Sequence, residues 1–501
     1  MNVKVLAWRL DHPLTAPGAA LRARLETLVG ALTGAPAPAS GAELVAAFEQ
    51  ALSPGDPADV WLTLAVLRAE LPLDAHVVAH ARAVRLDGPL AAFRDVLRPS
   101  VNPLERRRQL RRVEVVEDAV LVDLAHTSRS ALATGIQRVA RQTARRWAAE
   151  HDVTFVGWTA DESALRRLTD EEVATGLHGR QGPDGRAQAS ATVLVPHRST
   201  YVLPELAVEP RRTQRLLALA LRSGCRTGAI GFDCVPLSTA ETIGAGMGSA
   251  FAGNLAAVRH FDTVVAISHA AATEYRGWRR MLAGTGLAGP RIEVASLPVE
   301  AQRPDRDAVD RCRSRFGVDE MPLVLVVGSH EPRKNHVAVL QAAELGWQSG
   351  ARFRLLFVGG NAWGAAPFEH RLQELAEAGR PVESVRALSD DDLWACYALA
   401  RCVVFPSLNE GFGLPVAEAI ALGTPVITSD FGSMREISDG VGAILVDPRD
   451  DDAIADALRR LVTDDALRAR LSADALTVPR GSWDAYARAT WAPLVGGGPN
   501  R

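Results

Sequence analysis

The stretch CVVFPSLNEGFGLPVAEAIALGTPVITSD, residues 402–430, reads as a strand, a glycine-punctuated loop, a helix and a second strand. CVVF and PVIT are short apolar runs of the kind that buried parallel strands show. Pro415 suits the first turn of the intervening helix, where its missing N–H costs nothing. Gly411 and Gly413 allow the backbone to pass close to a ligand without interference from a Cβ. The loop carries one carboxylate, Glu410, and the helix carries a second, Glu418, eight residues later. A helix start aims free N–H groups and the positive end of its dipole at its neighbour, and phosphate is a usual guest there. An anion site flanked by two carboxylates describes a pocket for a sugar nucleotide.

Working outward, LVLVVG (323–328) is another short apolar run, followed by Ser-His-Glu-Pro and then Arg333-Lys334-Asn335. The next segment, HVAVLQAAELGWQSG, has helical periodicity. Two adjacent cations at a strand-to-helix junction sit at the carboxyl end of a strand, where parallel sheets present their ligands. Arg can grip a diphosphate with its fork, and Lys acts as a point charge. Without the first motif, the pair would read equally well as a solvated basic turn.

Strand and helix alternate from about residue 313 to 462, which predicts a doubly wound parallel sheet. The segment from about 113 to 298 repeats the theme less regularly, with strands expected in VLVDLAH, DVTFVGW, ATVLVP, RTGAIGFDCVPL, TVVAISHA and RIEVASLP. The expected fold class is α/β, two Rossmann-like domains facing a cleft, with a helical N-terminal extension. The boundaries are 1–112 for the extension and its basic linker, 113–305 and 306–475 for the two domains, and 476–501 for a final helix and tail. The linker run ERRRQLRR (105–112) reads as a solvated segment, or alternatively as an anchor for acidic lipid. The glycines of ETIGAGMGSAF follow no apolar strand, so that loop is not a dinucleotide fingerprint.

The text PS-x-x-E-G-F-G-L-P-x-x-E-A-x-A-x-G-x-P-V-I resembles that of retaining glycosyltransferases of family 4, glycosyl transferases group 1, which have the GT-B fold. The resemblance covers roughly residues 115–495, and TGIQRV (134–139) is similar to the first loop of a subset of that family. It implies that Glu410 contacts the hydroxyls of the transferred sugar and Glu418 those of the ribose. The loop Gly411-Phe412-Gly413-Leu414 would meet the donor phosphate, and Arg333 and Lys334 would hold the diphosphate. Gly135, Gln137 and Arg138 would lie against the diphosphate and acceptor, although Thr134 also reads as a plain N-cap. Asp233 falls where relatives place a His-Asp pair near the sugar, but Phe232 replaces the His, and Asp233 reads equally well as structural. Ser268 matches a serine near the acceptor and also suits a helix cap.

Net charge is −3 over 501 residues, which offers nucleic acid no electrostatic footing. The five cysteines are scattered without a C-x-x-C spacing, as in a reduced cytosolic protein with no zinc site. No apolar run approaches the ~20 residues of a membrane span. Asp450-Asp451-Asp452 reads as a helix start, not as a metal motif. The reading is a metal-independent, retaining transferase without cofactor, cytoplasmic or peripheral to the inner face of the plasma membrane. It would use a nucleotide-diphosphate sugar and a glycan, lipid-linked or small-molecule acceptor. The alternative is a non-catalytic sugar-nucleotide-binding or scaffold subunit.

Overall fold

The computed structural model describes residues 3–52, 55–98, 108–130, 135–180, 192–479 and 481–496. Among the described residues, fifteen strands form two sheets. The first contains β1 (Arg112–Glu117), β2 (Val120–Asp123), β3 (Thr154–Trp158), β4 (Leu165–Arg167), β5 (Thr192–His197), β6 (Thr200–Leu203), β7 (Arg226–Gly231), β8 (Thr263–Ala266) and β9 (Arg291–Val294). Its order is β1-β5-β4-β3-β2-β6-β7-β8-β9. The run β3-β2-β6-β7-β8-β9 is parallel throughout, while β4 is antiparallel to both neighbours.

The second sheet holds β10 (Leu323–Val327), β11 (Arg354–Val358), β12 (Val382–Val385), β13 (Cys402–Phe405), β14 (Val426–Ser429) and β15 (Ala443–Val446). Its order, β12-β11-β10-β13-β14-β15, is all parallel. The winding reverses between β10 and β13, and such a reversal opens a crevice at the carboxyl ends of those two strands. The loops that carry Arg333, Lys334 and Glu410 leave the sheet at this point.

Three strands escape the sequence reading. β1 is an edge strand of alternating charge, β4 is three residues long, and β6 follows β5 after a turn at Arg198 with φ +49°. All are too short or too polar for a periodicity argument.

The N-terminal helices, Val3–Asp11 to Pro89–Ala92, share one continuous apolar core with the first sheet. The helix Pro57–Arg68 is buried from Val60 to Leu67. Buried Arg24 donates to the carbonyls of Leu67, Arg108 and Arg111 at 2.9, 2.8 and 2.6 Å, tying the extension to the linker. Of the basic run, residues 105–107 lie outside the described residues. Arg108 pairs with Glu70 at 2.7 Å and Asp161 at 2.9 Å, Arg111 also faces Asp161, and Arg112 starts β1. These cations serve the fold.

The last helix, Trp483–Val495, packs on the first sheet and on the helix Gly135–Glu150. Trp147 Nε1 donates to the Ala487 carbonyl at 2.9 Å, and Trp491 stacks on His151. The chain thus returns from the second domain to the first. No helix of the described residues is long and apolar enough to cross a membrane.

Candidate active site

The crevice of the second sheet is built from two loops stitched together. After β10, Gly328 has φ +147°, and a short 3-10 turn, Pro332–Lys334, ends at Asn335 with φ +58°. Asn335 Nδ2 donates to the Pro448 carbonyl at 2.6 Å, and Leu408 N–H donates to the Arg333 carbonyl at 2.8 Å. These bonds fix the turn against the loops after β15 and β13.

Glu410 then lies between both cations. Arg333 Nη1 is 2.6 Å from Glu410 Oε2, and Lys334 Nζ is 2.5 Å from Oε1. Arg333 also donates to Glu331 Oε1 at 2.6 Å and to the Asn409 carbonyl at 2.8 Å. The Lys334 ammonium sits over the Phe405 ring, 4.8 Å from its centroid. Burial alone would raise the Glu410 carboxyl, but the charges of Arg333 and Lys334 outweigh it and hold the group down to about 2. Burial pulls the Lys334 ammonium below its ordinary range despite Glu410.

Gly413, at φ +95°, turns the chain into the helix Leu414–Leu422. One turn in, Glu418 is 7% exposed and accepts a hydrogen bond from the Tyr397 hydroxyl at 2.8 Å. Its other oxygen pairs with Arg138 of the first domain. Arg138 is on the first turn of the helix Gly135–Glu150, and Gly135 faces Leu414, whose Cδ1 would be 3.8 Å from an added Cβ. Gln137 is buried, and Thr134 lies outside the described residues.

The first domain meets the Glu410 loop at the carboxyl ends of β7 and β8. A Cβ on Gly411 would lie 2.5 Å from the Phe232 carbonyl oxygen and 3.1 Å from Asp233 Oδ2. A close approach that requires this glycine is therefore to the opposite domain's backbone. Phe412 is buried beside it. Burial raises the Asp233 carboxyl to about 6; Arg333 opposes this, while Glu274 and Glu410 reinforce it. Ser268 is the expected helix cap and also bridges the domains. Its hydroxyl caps the helix His269–Gly284 by accepting from Ala271 N–H at 2.9 Å, and it donates across the cleft to the Gly411 carbonyl at 2.6 Å.

Sequence reasoning missed three residues that align the two domains. Glu274 accepts from Cys234 N–H at 2.6 Å and from Asn409 Nδ2 at 3.0 Å, linking the Asp233 segment to the Glu410 loop. Glu436 accepts from the His269 and Ala270 N–H groups at 2.9 and 2.7 Å, a carboxylate at a helix start. Trp363 Nε1 donates to the Thr242 carbonyl at 3.1 Å. None of the three stands in a distinctive local pattern. Beside these contacts a cavity of about 770 Å³ opens between the domains, lined by His269, Glu274, Asn409, Glu410, Arg435 and Arg449 among others.

Glu410 thus pairs with two adjacent cations at the switch point of a doubly wound sheet. Residues 312–477 match the family model of glycosyl transferases group 1. The matched segment contains β10 to β15 and Arg333, Lys334, Glu410 and Glu418. Serotype-specific mannosyltransferase WbdA of Escherichia coli is 24% identical over 331 residues, 64% of this chain and 40% of the relative. D-inositol 3-phosphate glycosyltransferase of Nocardioides sp. is 39% identical over 219 residues, 40% of this chain and 47% of the relative. The chain thus spans less than half the length of these curated relatives. The crystal structure of Anabaena HepE in complex with UDP-glucose superposes with a TM-score of 0.54 at 15% identity, over 75% of this chain and 99% of HepE. The fold is GT-B, with a helical N-terminal region added.

Proposed function

We propose that this chain is a retaining, metal-independent glycosyltransferase that moves a sugar from a nucleotide-diphosphate sugar to an acceptor hydroxyl. The observation that carries the reading is the buried Glu410 carboxylate held between Arg333 and Lys334, facing Asp233 across the cleft. As the anomeric C–O bond breaks, negative charge grows on the leaving diphosphate. Arg333, Lys334 and the start of the helix at Leu414 stabilise that charge, each worth most where water is excluded. Two fixed cations supply what a divalent metal supplies elsewhere.

The acceptor oxygen bonds to the anomeric carbon on the face the diphosphate leaves, and its proton passes to the leaving phosphate oxygen. Glu410 orients the sugar hydroxyls, and Glu418 takes those of the ribose. The acceptor is a glycan, a lipid-linked saccharide or a small natural product; WbdA, named as a serotype-specific mannosyltransferase, favours the first two.

The test is ligand-observed NMR with UDP-, GDP-, dTDP- and ADP-sugars on the wild type and Arg333→Ala. Selective binding lost in the variant supports the reading. Binding of none of them favours a non-catalytic scaffold, a second reading that rests on Phe232, buried where the resembled family places a His.

A further inference from the structure

Arg138 and Glu418 are 280 residues apart in sequence and joined across the cleft. The two ends of this pair are unequally held. Glu418 is fixed by the Tyr397 hydroxyl and its side chain is 9% exposed, while the Arg138 side chain is 29% exposed. Arg138 is thus the partner able to move. A ligand whose hydroxyls take Glu418 must displace it, and a displaced guanidinium in this half-buried place needs another anion.

The start of the helix at Leu414 lies one turn, about 5.4 Å, from Glu418, and Gly135 faces it from the same helix turn that carries Arg138. A phosphate at that helix start would be within the swing of Arg138. We infer that Arg138 is a specificity-determining residue: it holds the Glu418 carboxylate in trust and releases it only to a ligand that brings both a diol and a phosphate charge. A nucleoside supplies the diol and leaves Arg138 without a partner. A nucleoside diphosphate satisfies both groups. The inference rests on the nucleotide-sugar reading above and adds to it the selection against ligands without phosphate.

The experiment compares uridine with UDP, guanosine with GDP and adenosine with ADP by calorimetric titration of the full chain, in the wild type, Arg138→Gln and Arg138→Lys. In Arg138→Gln the preference for the diphosphate over its nucleoside falls about tenfold or more, the scale of one charge-assisted hydrogen bond. The nucleoside itself binds as well as before or more tightly, because nothing charged has to be displaced. Arg138→Lys restores part of the preference. An unchanged preference in Arg138→Gln overturns the inference, as does an equal loss for nucleoside and diphosphate, which marks a structural brace. Binding of no pair by the wild type overturns the nucleotide reading itself, and this inference with it.

Discussion

Arg333 Nη1 lies 2.6 Å from Glu410 Oε2, so the side chains expected to hold the diphosphate and the sugar hold each other. Together with Lys334 this makes a compact buried cluster in which every charge has a partner.

Replacing Glu410 by Gln leaves both cations without their counter-charge, and breaking a buried pair in this way costs about 3–5 kcal/mol. The cost depends on pH. The Glu410 carboxyl is held at about 2 against an ordinary 4.5, so its contribution is complete above 4.5 and is lost as pH falls towards 2. That shift corresponds to about 3 kcal/mol. Urea unfolding should show a large gap between wild type and Glu410→Gln at pH 7 that narrows steadily from pH 4.5 to pH 2. A constant gap would contradict the linkage.

Asp233 behaves in the opposite sense. Its carboxyl is raised from 3.8 to about 6, so ionisation is disfavoured in the folded chain. The penalty is absent below pH 3.8, grows with rising pH and is complete above pH 6, where it reaches about 3 kcal/mol. Asp233→Asn should therefore be more stable than the wild type at pH 7 and no different at pH 3.5. If ionised Asp233 contacts the sugar, kcat/KM of the wild type rises through pH 6, and the variant lacks that limb.

Gly411→Ala places a methyl 2.5 Å from the Phe232 carbonyl oxygen, an atom of backbone that has little room to retreat. The domains must separate or the Glu410 loop must shift. Overpacking of this kind costs about 1–3 kcal/mol. Small-angle scattering should report a more open particle, and transfer activity should fall far more than stability does. A variant with wild-type scattering and turnover would show that the contact is dispensable.

Trp147→Ala removes a fully buried indole and the hydrogen bond to the Ala487 carbonyl that seats the last helix. Truncations of this size cost about 3–5 kcal/mol. The variant should lose thermal stability, and protease should cut ahead of Trp483 while the domain built on the second sheet stays resistant. Cleavage spread evenly over the chain would mean that the last helix does not fold as a separate unit.

The sequence by itself determined the alternation of strand and helix. Buried parallel strands such as LVLVV and CVVF are apolar on both faces and announce themselves locally. It also marked out the candidate site residues, since Arg333, Lys334, Glu410 and Glu418 stand in dense local patterns of glycine, proline and charge. Tertiary structure alone decided which of these groups meet. The Arg333–Glu410 and Arg138–Glu418 pairs depend on where the winding reverses and on how two domains face each other, and no local spacing encodes either. The same holds for Gly411, whose small size answers to Phe232, 179 residues away by number, and for Glu274 and Glu436, ordinary helix acids until the opposite domain presents its N–H groups. The helical extension reads as a separate unit because its Ala- and Leu-rich helices are self-consistent. Only packing reveals that it shares a core with the first sheet, because apolar burial has no direction that a sequence can record.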